Sequence, residues 1–138
     1  METHSLSIVI IDDEEIVIKT IAMCLRKSGC TLHSTTKAKE AVALVRKTDP
    51  DVILCDAAMP HMSGPEVIEN LKADPATAHI PIILMTGFAE SHMFAHVGWT
   101  GFLSKPFGPA ELIAALHHAV ASVMKKQASA DLADAPTP

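Results

Sequence analysis

The chain has 138 residues, of which 49% are hydrophobic and 20% are charged. This length and composition predict one soluble globular domain with a core of its own. The 11 Lys and Arg residues are scattered, and the net charge is −5, which argues against direct binding of DNA or RNA.

The sequence carries no signal for export or membrane insertion. No uninterrupted apolar stretch approaches the length of a membrane span, and the first residues lack the basic and apolar segments of a secretory signal. The three cysteines are an odd number and form no CxxC pair, which argues against a disulfide framework. These features predict a cytoplasmic protein.

Short runs rich in Ile and Val alternate with longer segments whose apolar residues recur every three or four positions. This alternation predicts βα units and therefore an α/β protein with a parallel sheet. In the first part of the chain we predict a strand over 5–11, a helix that ends at Gly29, a polar edge strand over 30–35 and a helix over 37–47.

The second part of the chain begins with the apolar run Val52 to Cys55, which is typical of a central strand covered on both faces. A helix over 63–73 follows, with Ser63 as its N-cap and Pro65 in its first turn. We further predict a strand over 80–85, a short helix over 90–97, a strand over 100–104 and a last helix from Pro109 to about Lys125.

The composition changes near the C-terminus. From Gln127 onward the chain consists mainly of Ala, Ser, Asp and Pro, with too few large apolar residues to build a second core. We therefore predict one domain over residues 5–126 and a flexible tail over 127–138.

Polar side chains follow four of the predicted strands: Asp12 and Asp13, Asp56, Thr86, and Lys105. In an open parallel sheet, ligands bind beyond the carboxyl ends of the strands. Three carboxylates that converge there repel one another unless a cation offsets their charge. Mg²⁺ prefers oxygen ligands and is typically held by one or two carboxylates and a phosphate. The pattern therefore predicts a magnesium site.

These residues resemble the receiver domain of response regulators, and the resemblance covers about residues 5–125. It rests on Asp12-Asp13, Asp56, Met59-Pro60, Gly64, Thr86 and Lys105-Pro106-Phe107. The resemblance implies a flavodoxin-like, doubly wound five-stranded parallel sheet of order 2-1-3-4-5, flanked by helices. The segment from Thr86 to Lys105 is about one turn short for this family, which predicts a shortened fourth helix. Because this helix belongs to the family's usual dimer face, we expect a monomer.

The resemblance also implies the role of each acidic residue. Asp56 would be the phosphoacceptor, attacking the phosphorus of a partner's phosphohistidine. Mg²⁺ would be held by Asp13, Asp56 and the backbone carbonyl of Ala58, with Asp12 acting through metal-bound water.

Three further residues take roles from the resemblance. Lys105 would place a positive charge beside the phosphoryl group, and the Thr86 hydroxyl would donate to one of its oxygens. Phe102 would swing inward as Thr86 moves; the alternative is that Phe102 only packs within its strand. The Lys105–Pro106 peptide would be cis.

The first helix predicts a docking surface for the partner. Ile16, Val17 and Ile18 span about 200° at the helical pitch, so they cannot all face the sheet, and Ile16 is the expected outlier. We expect a helical bundle that bears the donor histidine to contact a surface formed by Ile16, Thr20, Met23 and Pro106.

The function predicted from these residues is that of a single-domain response regulator. It would accept phosphoryl groups from a sensor histidine kinase or a histidine phosphotransfer protein, and it would act by docking on a downstream protein or as a phosphorelay intermediate. It would catalyse only its own phosphorylation and dephosphorylation. One alternative is a receiver fragment of a hybrid sensor kinase. A remote alternative is a magnesium-dependent phosphatase with an Asp nucleophile, but Ala58 stands where such enzymes usually carry a second Asp.

In the receiver domains that this chain resembles, the positions of Ala58 and Phe88 commonly carry polar residues near the phosphoryl group. Neither side chain can orient an attacking water, so we predict slow loss of the phosphoryl group. The alternative is that both residues are simply packing choices.

Overall fold

The computed structural model describes residues 6–87 and 101–133, and side chains up to Ser122. The short helix predicted over 90–97 lies outside these ranges. In chain order the described elements are β1 (Ser7–Ile11), α1 (Glu15–Cys24), β2 (Thr31–Thr35), α2 (Ala41–Thr48), β3 (Val52–Asp56), α3 (Gly64–Ala73), β4 (Ile82–Gly87), β5 (Gly101–Lys105) and α4 (Pro109–Ala133). One 3-10 turn, Ala38–Glu40, leads into α2.

The five strands form one parallel sheet of order β2-β1-β3-β4-β5, which confirms the predicted fold class and strand order. All residues of β3 are buried, as expected of a central strand. The polar strand β2 lies at one edge, as predicted. The chain steps outward from β1 to β2 and then crosses back to β3, so the strand order reverses beside the carboxyl ends of β1 and β3.

Alternate side chains of the central strands enter two separate cores, one on each face of the sheet. On one face, Ile10 and Leu54 pack with residues of α1 and α4, among them Ile21 and Leu116. On the opposite face, residues of the same strands pack against α2 and α3; this cluster includes Val9, Ile53, Val45, Val67 and Leu71. The chain therefore has the three-layer arrangement of a doubly wound α/β domain.

The end of the first helix differs from the prediction. The helix ends at Cys24, and residues 25–29 form a turn instead of its last part. In this turn the hydrogen bonds span three residues: the amide of Ser28 donates to the Leu25 carbonyl, and the Ser28 hydroxyl donates to the same oxygen at 2.6 Å. A serine that bonds locally in this way competes with helical hydrogen bonding. Gly29, with a φ of 77°, ends the turn.

The last helix is longer than predicted. It ends at Ala133 and not near Lys125, so residues 127–133 of the predicted tail are helical. Ala, Gln and Lys are good helix formers, and adding residues to an existing helix costs far less than starting one. Within the described ranges, no helix combines the length and apolar character that a membrane span requires.

Candidate functional site

Three carboxylates meet where the strand order reverses. Asp12 and Asp13 follow β1, and Asp56 is the last residue of β3; each offers an oxygen within 4.8 Å of the others. Asp12 and Asp56 are buried, whereas Asp13 is partly exposed. The structure thus brings together the three acids that the sequence placed at this edge of the sheet.

Lys105, the last residue of β5, reaches into this acid cluster. Its Nζ lies 2.9 Å from Oδ2 of Asp12 and 3.1 Å from Oδ1 of Asp56. Burial of Lys105 disfavours its charged form, but the hydrogen bonds to Asp12 and Asp56 outweigh that effect and raise its pKa. Lys105 is therefore a fixed positive charge between two carboxylates.

The negative charge of the cluster is only partly offset by Lys105. Burial and the neighbouring charge of Asp12 raise the pKa of Asp56 to about 6, although the hydrogen bond and charge of Lys105 act in the opposite direction. A further cation among these oxygens would relieve the repulsion. A carboxylate cluster of this kind fits a hard divalent ion such as Mg²⁺, which prefers oxygen ligands.

Asp12 has a second contact that sequence reasoning missed. Its Oδ1 accepts a hydrogen bond from the Glu14 amide at 2.9 Å, just before α1 begins. An aspartate two residues before a free amide commonly bonds to it, so this contact had a local signal in the sequence. Both carboxylate oxygens of Asp12 are thus occupied by donors of the protein itself.

The loop after β3 is held tightly against the sheet. The Ala57 amide donates to the Met85 carbonyl at 2.8 Å, and the Gly64 amide donates to the Ala57 carbonyl at 2.9 Å. A Cβ at Gly64 would lie 2.2 Å from the Asp56 carbonyl oxygen. The sequence indicated Gly64 only as part of the family pattern. The structure adds the physical reason: the first residue of α3 lies so close to the Asp56 backbone that it has no room for a side chain.

The backbone carbonyl of Ala58, predicted as a metal ligand, lies in this loop. Ala58 is exposed, and within residues 6–87 and 101–133 no hydrogen bond engages its carbonyl. This oxygen is therefore available to an external ligand as far as the described residues are concerned.

Thr86 and Phe102 lie on the two strands that complete this side of the sheet. Thr86 is buried near the end of β4, and its hydroxyl donates to the Gly87 carbonyl at 3.1 Å. It follows Met85, which is the register partner of Asp56. Phe102 of β5 pairs with Leu84 of β4, and its side chain is partly exposed. Thr86 thus lies one position beyond the register partner of Asp56, whereas Phe102 lies two positions before Ser104, the register partner of Thr86.

A groove of about 300 Å³ adjoins the acid cluster; we call it the α1/β5 groove. It is lined by Ile16, Val17, Thr20, Lys105, Pro106 and Phe107. Ile16 is 67% exposed, as predicted for the residue that cannot face the sheet. Met23 is also exposed but does not line the groove. The Lys105–Pro106 peptide is cis, as the resemblance implies.

The sequence matches the family described as "Response regulator receiver domain" over residues 8–117. The phosphate regulon transcriptional regulatory protein PhoB of Pseudomonas aeruginosa is 35% identical over 113 residues, which are 80% of this chain and 49% of PhoB. The polar-differentiation response regulator DivK of Brucella ovis is 35% identical over 103 residues, 72% of this chain and 84% of DivK. The chain thus spans about half the length of PhoB but most of DivK.

Solved structures show the same fold. The chemotaxis protein CheY4 of Vibrio cholerae has a TM-score of 0.74 at 27% identity, covering 82% of this chain and 97% of CheY4. NtrX of Brucella abortus has a TM-score of 0.84 at 20% identity, covering 93% of this chain and 29% of NtrX.

A doubly wound parallel sheet with an acid cluster, a threonine and a lysine at its carboxyl edge defines the receiver class of α/β protein. The chain belongs to the response regulator receiver domain family. It is therefore a signalling protein of two-component systems, a family whose members interact with histidine kinases or phosphotransfer proteins.

Proposed function

We propose that Asp56 accepts a phosphoryl group from the phosphohistidine of a sensor histidine kinase or a histidine phosphotransfer protein. The observation that carries this proposal is the contact of Asp56 with Lys105 inside a cluster of three carboxylates at the carboxyl edge of the sheet. A carboxylate oxygen of Asp56 attacks the phosphorus and forms an acyl phosphate. The P–N bond breaks, and its electron pair stays on the histidine nitrogen.

The acid cluster fits the Mg²⁺ that receiver domains generally bind. The residues that would hold it are Asp13, Asp56 and the Ala58 carbonyl, with Asp12 nearby. When bound, Mg²⁺ supplies positive charge at the phosphoryl oxygens as they approach Asp56. Lys105 offsets the remaining negative charge in the crevice.

Lys105 and Thr86 act on the transferred group. Lys105 lies beside Asp56 Oδ1 and places its ammonium next to the incoming phosphoryl oxygens. The Thr86 hydroxyl, which donates to the Gly87 carbonyl in this structure, turns to donate to a phosphoryl oxygen. Phe102 then moves into the space that Thr86 leaves, which carries the change to the surface at β5.

The histidine-bearing partner docks at the α1/β5 groove. The groove is lined by apolar side chains, among them Ile16 and Pro106, and Lys105 connects it to the acid cluster. The exposed side chain of Met23 extends this surface along α1. A helical bundle that seats on Ile16 and Thr20 thus brings its phosphohistidine toward Asp56.

The output is phosphorylation-dependent docking on a downstream protein or onward transfer in a phosphorelay. We propose a monomeric, cytoplasmic regulator that does not bind DNA directly and catalyses only its own phosphorylation and dephosphorylation. The alternative is that this chain is the receiver segment of a hybrid sensor kinase. Membership of a signalling family favours either reading over the magnesium-dependent phosphatase considered from the sequence.

The test is intact-mass measurement after incubation with Mg²⁺ and acetyl phosphate. The wild type should gain one phosphoryl group, whereas Asp56→Asn should gain none, and chelation of Mg²⁺ should abolish labelling of the wild type. Equal labelling of both proteins would show that Asp56 is not the acceptor. Absence of labelling in the wild type with this donor and with a phosphorylated histidine kinase would overturn the proposed function.

A further inference from the structure

A second cavity lies at the carboxyl edge of the sheet, beside the loop that follows β2. Its volume is about 580 Å³, against about 300 Å³ for the α1/β5 groove. Three loops form its walls: Asp13 follows β1, residues 36–39 follow β2, and residues 60–62 lie in the loop after β3. The cavity is therefore at the point where the strand order reverses, which is where open parallel sheets bind ligands. We call it the switch-point pocket.

Positive charge dominates the lining of the switch-point pocket. Lys37, Lys39 and His61 are exposed there, and Asp13 is the only acid among the described residues that line it. Lys37 reaches Glu40 only at 4.0 Å, and within residues 6–87 and 101–122 Lys39 forms no ion pair. Two ammonium groups against one carboxylate make this a positive region in a chain whose net charge is −5. The pocket thus favours an anion.

The rest of the lining is mostly apolar. Ala38, Pro60 and Met62 supply this part of the wall. A cavity with apolar walls and a few polar groups is typical of sites for small organic molecules, whose volumes are roughly 300–1,000 Å³. A bare inorganic ion would leave the apolar wall in contact with water, so an organic ligand fits better.

Both loops are held by contacts of their own. The Thr35 hydroxyl accepts from the Lys37 amide at 3.1 Å, and buried Ala38 begins the 3-10 turn that leads into α2. In the other loop, the Met62 amide donates to the Pro60 carbonyl at 2.8 Å. The walls are therefore formed before a ligand arrives, which lowers the entropy cost of binding.

We propose that the switch-point pocket binds a small organic anion, in which a phosphate or carboxylate group is joined to an apolar body. The anionic group pairs with Lys37 and Lys39 and accepts a hydrogen bond from His61. The apolar body packs against Pro60 and Met62. The pocket shares no lining residue with the α1/β5 groove, so a small molecule bound here is an input separate from the histidine-bearing partner.

The probe is naphthyl phosphate, added to the full chain with a chelator present so that no metal draws its phosphate to the acid cluster. Backbone amide shifts in nuclear magnetic resonance spectra locate the bound probe, and their titration gives its dissociation constant. We expect shifts at residues 36–39, His61 and Met62, with a dissociation constant below about 1 mM. Absence of binding, or shifts confined to the α1/β5 groove, would overturn the proposal.

A series of related molecules tests the chemistry of the ligand. Naphthoate, which carries a carboxylate, should shift the same residues. Naphthol lacks the charge and inorganic phosphate lacks the apolar body, so each should bind at least about tenfold more weakly than naphthyl phosphate. Equal binding of either one would contradict the proposed ligand class. If a capped peptide of Asp, Glu and Leu binds the pocket while both naphthyl anions do not, the occupant is a protein segment and the proposal is wrong.

Reversal of the two lysine charges tests the residues. Lys37→Glu/Lys39→Glu should weaken binding of naphthyl phosphate at least about tenfold. Lys27→Glu/Lys47→Glu is the matched control, because it changes the net charge equally at two exposed lysines outside the pocket, and it should change the affinity by no more than about twofold. Equal weakening in both double variants would mean that only the net charge matters, which excludes a specific site.

His61→Gly removes the imidazole and keeps the loop. His61 has a φ of 69°, in the left-handed region that glycine adopts freely. We expect this variant to bind naphthyl phosphate about threefold or more weakly than the wild type, since one hydrogen bond is lost. An unchanged affinity would contradict the role given to His61.

The pocket and the proposed function of Asp56 are tested separately. Asp56 does not line the pocket, so Asp56→Asn should bind naphthyl phosphate with an affinity within about threefold of the wild type. If this variant loses the probe together with the phosphoryl group, the probe occupies the acid cluster and the switch-point pocket is not its site. If the wild type binds the probe at residues 36–39 but is never phosphorylated, only the proposed function is wrong.

Discussion

The Lys105 ammonium lies 3.1 Å from Oδ1 of Asp56, although β4 stands between their strands. This contact lowers the pKa of Asp56, but burial and the charge of Asp12 outweigh it and raise the pKa from 3.8 to about 6. Ionised Asp56 is therefore less favourable in the folded chain than in the unfolded chain. The ionised acid cluster thus costs folding stability.

The stability of the metal-free protein should reflect this cost. Below about pH 4, Asp56 is protonated in both the folded and the unfolded chain. Between about pH 4 and 6 it loses its proton in the unfolded chain but keeps it in the folded chain, so the free energy of unfolding falls as the pH rises. Asp56→Asn should therefore be more stable than the wild type at pH 7, by on the order of 2 kcal/mol, with no gain at pH 3.5. Urea denaturation with a chelator present measures both differences.

The control for this prediction is Asp49→Asn, at an exposed carboxyl remote from the cluster whose left-handed backbone Asn also tolerates. It should shift stability little at either pH. Mg²⁺ should stabilise the wild type more than Asp56→Asn. Binding to the folded state alone adds to stability, and Asp56→Asn removes one of the proposed Mg²⁺ ligands. If Asp56→Asn is less stable than the wild type at pH 7, the pKa of Asp56 is not raised in the folded protein.

A charge at Ile16 should separate docking from chemistry. Ile16→Glu places a carboxylate on the exposed wall of the α1/β5 groove, so it should slow phosphotransfer from the histidine kinase by at least about tenfold. Labelling by acetyl phosphate, which needs no docking surface, should stay within about twofold. Phosphotransfer is followed with a radiolabelled kinase.

Ala43→Glu adds the same charge to an exposed position of α2, on the opposite face of the sheet, and should leave both reactions unchanged. Equal loss of kinase-dependent and acetyl phosphate labelling in Ile16→Glu would mean that the substitution disturbs the site itself and not docking.

The close approach of α3 to β3 should make Gly64→Ala strongly destabilising. The added Cβ would meet the Asp56 carbonyl oxygen at 2.2 Å and the Ala57 Cα at 2.8 Å, and backbone atoms cannot move aside as a flexible side chain can. We expect a loss of about 2 kcal/mol or more in the free energy of unfolding. Gly87→Ala is the control, since its Cβ would meet no atom of the described residues within 4 Å. Similar losses in both variants would refute the steric explanation.

The lifetime of the acyl phosphate should depend on residue 58. The Ala58 side chain is exposed beside the site and cannot hold an attacking water. Phosphorylated wild type should therefore persist for minutes or longer, and Ala58→Gln, which can orient a water, should shorten the lifetime by roughly tenfold. The decay of the phosphorylated mass after donor removal measures it. A wild-type lifetime of seconds would contradict the prediction of slow dephosphorylation.

Local sequence signals predicted most of the fold. The alternation of apolar runs and amphipathic segments indicated βα units, the apolar composition of β3 indicated a central strand, and polar β2 was correctly assigned to an edge. Ser63 was correctly predicted as the N-cap of α3, where its hydroxyl accepts from the Glu66 amide. These features depend on residues a few positions apart, so they can be read without the tertiary structure.

The two wrong helix ends have an equally local cause. A hydroxyl of Ser28 that competes with the backbone ends α1 early, whereas good helix formers after Lys125 let α4 continue. In both cases two local preferences compete by small margins, and the pattern of apolar residues does not decide between them.

The sequence by itself determined that Asp12, Asp13, Asp56, Thr86 and Lys105 follow strands of a parallel sheet, and hence that they lie at one edge. Only the tertiary structure decided which of them touch. Asp12 and Lys105 are 93 positions apart, and their contact exists because four parallel strands place the two side chains over the same crevice. The α1/β5 groove and the packing of Gly64 against Asp56 arise in the same way, since each depends on the distance between elements and not on the residues of one element.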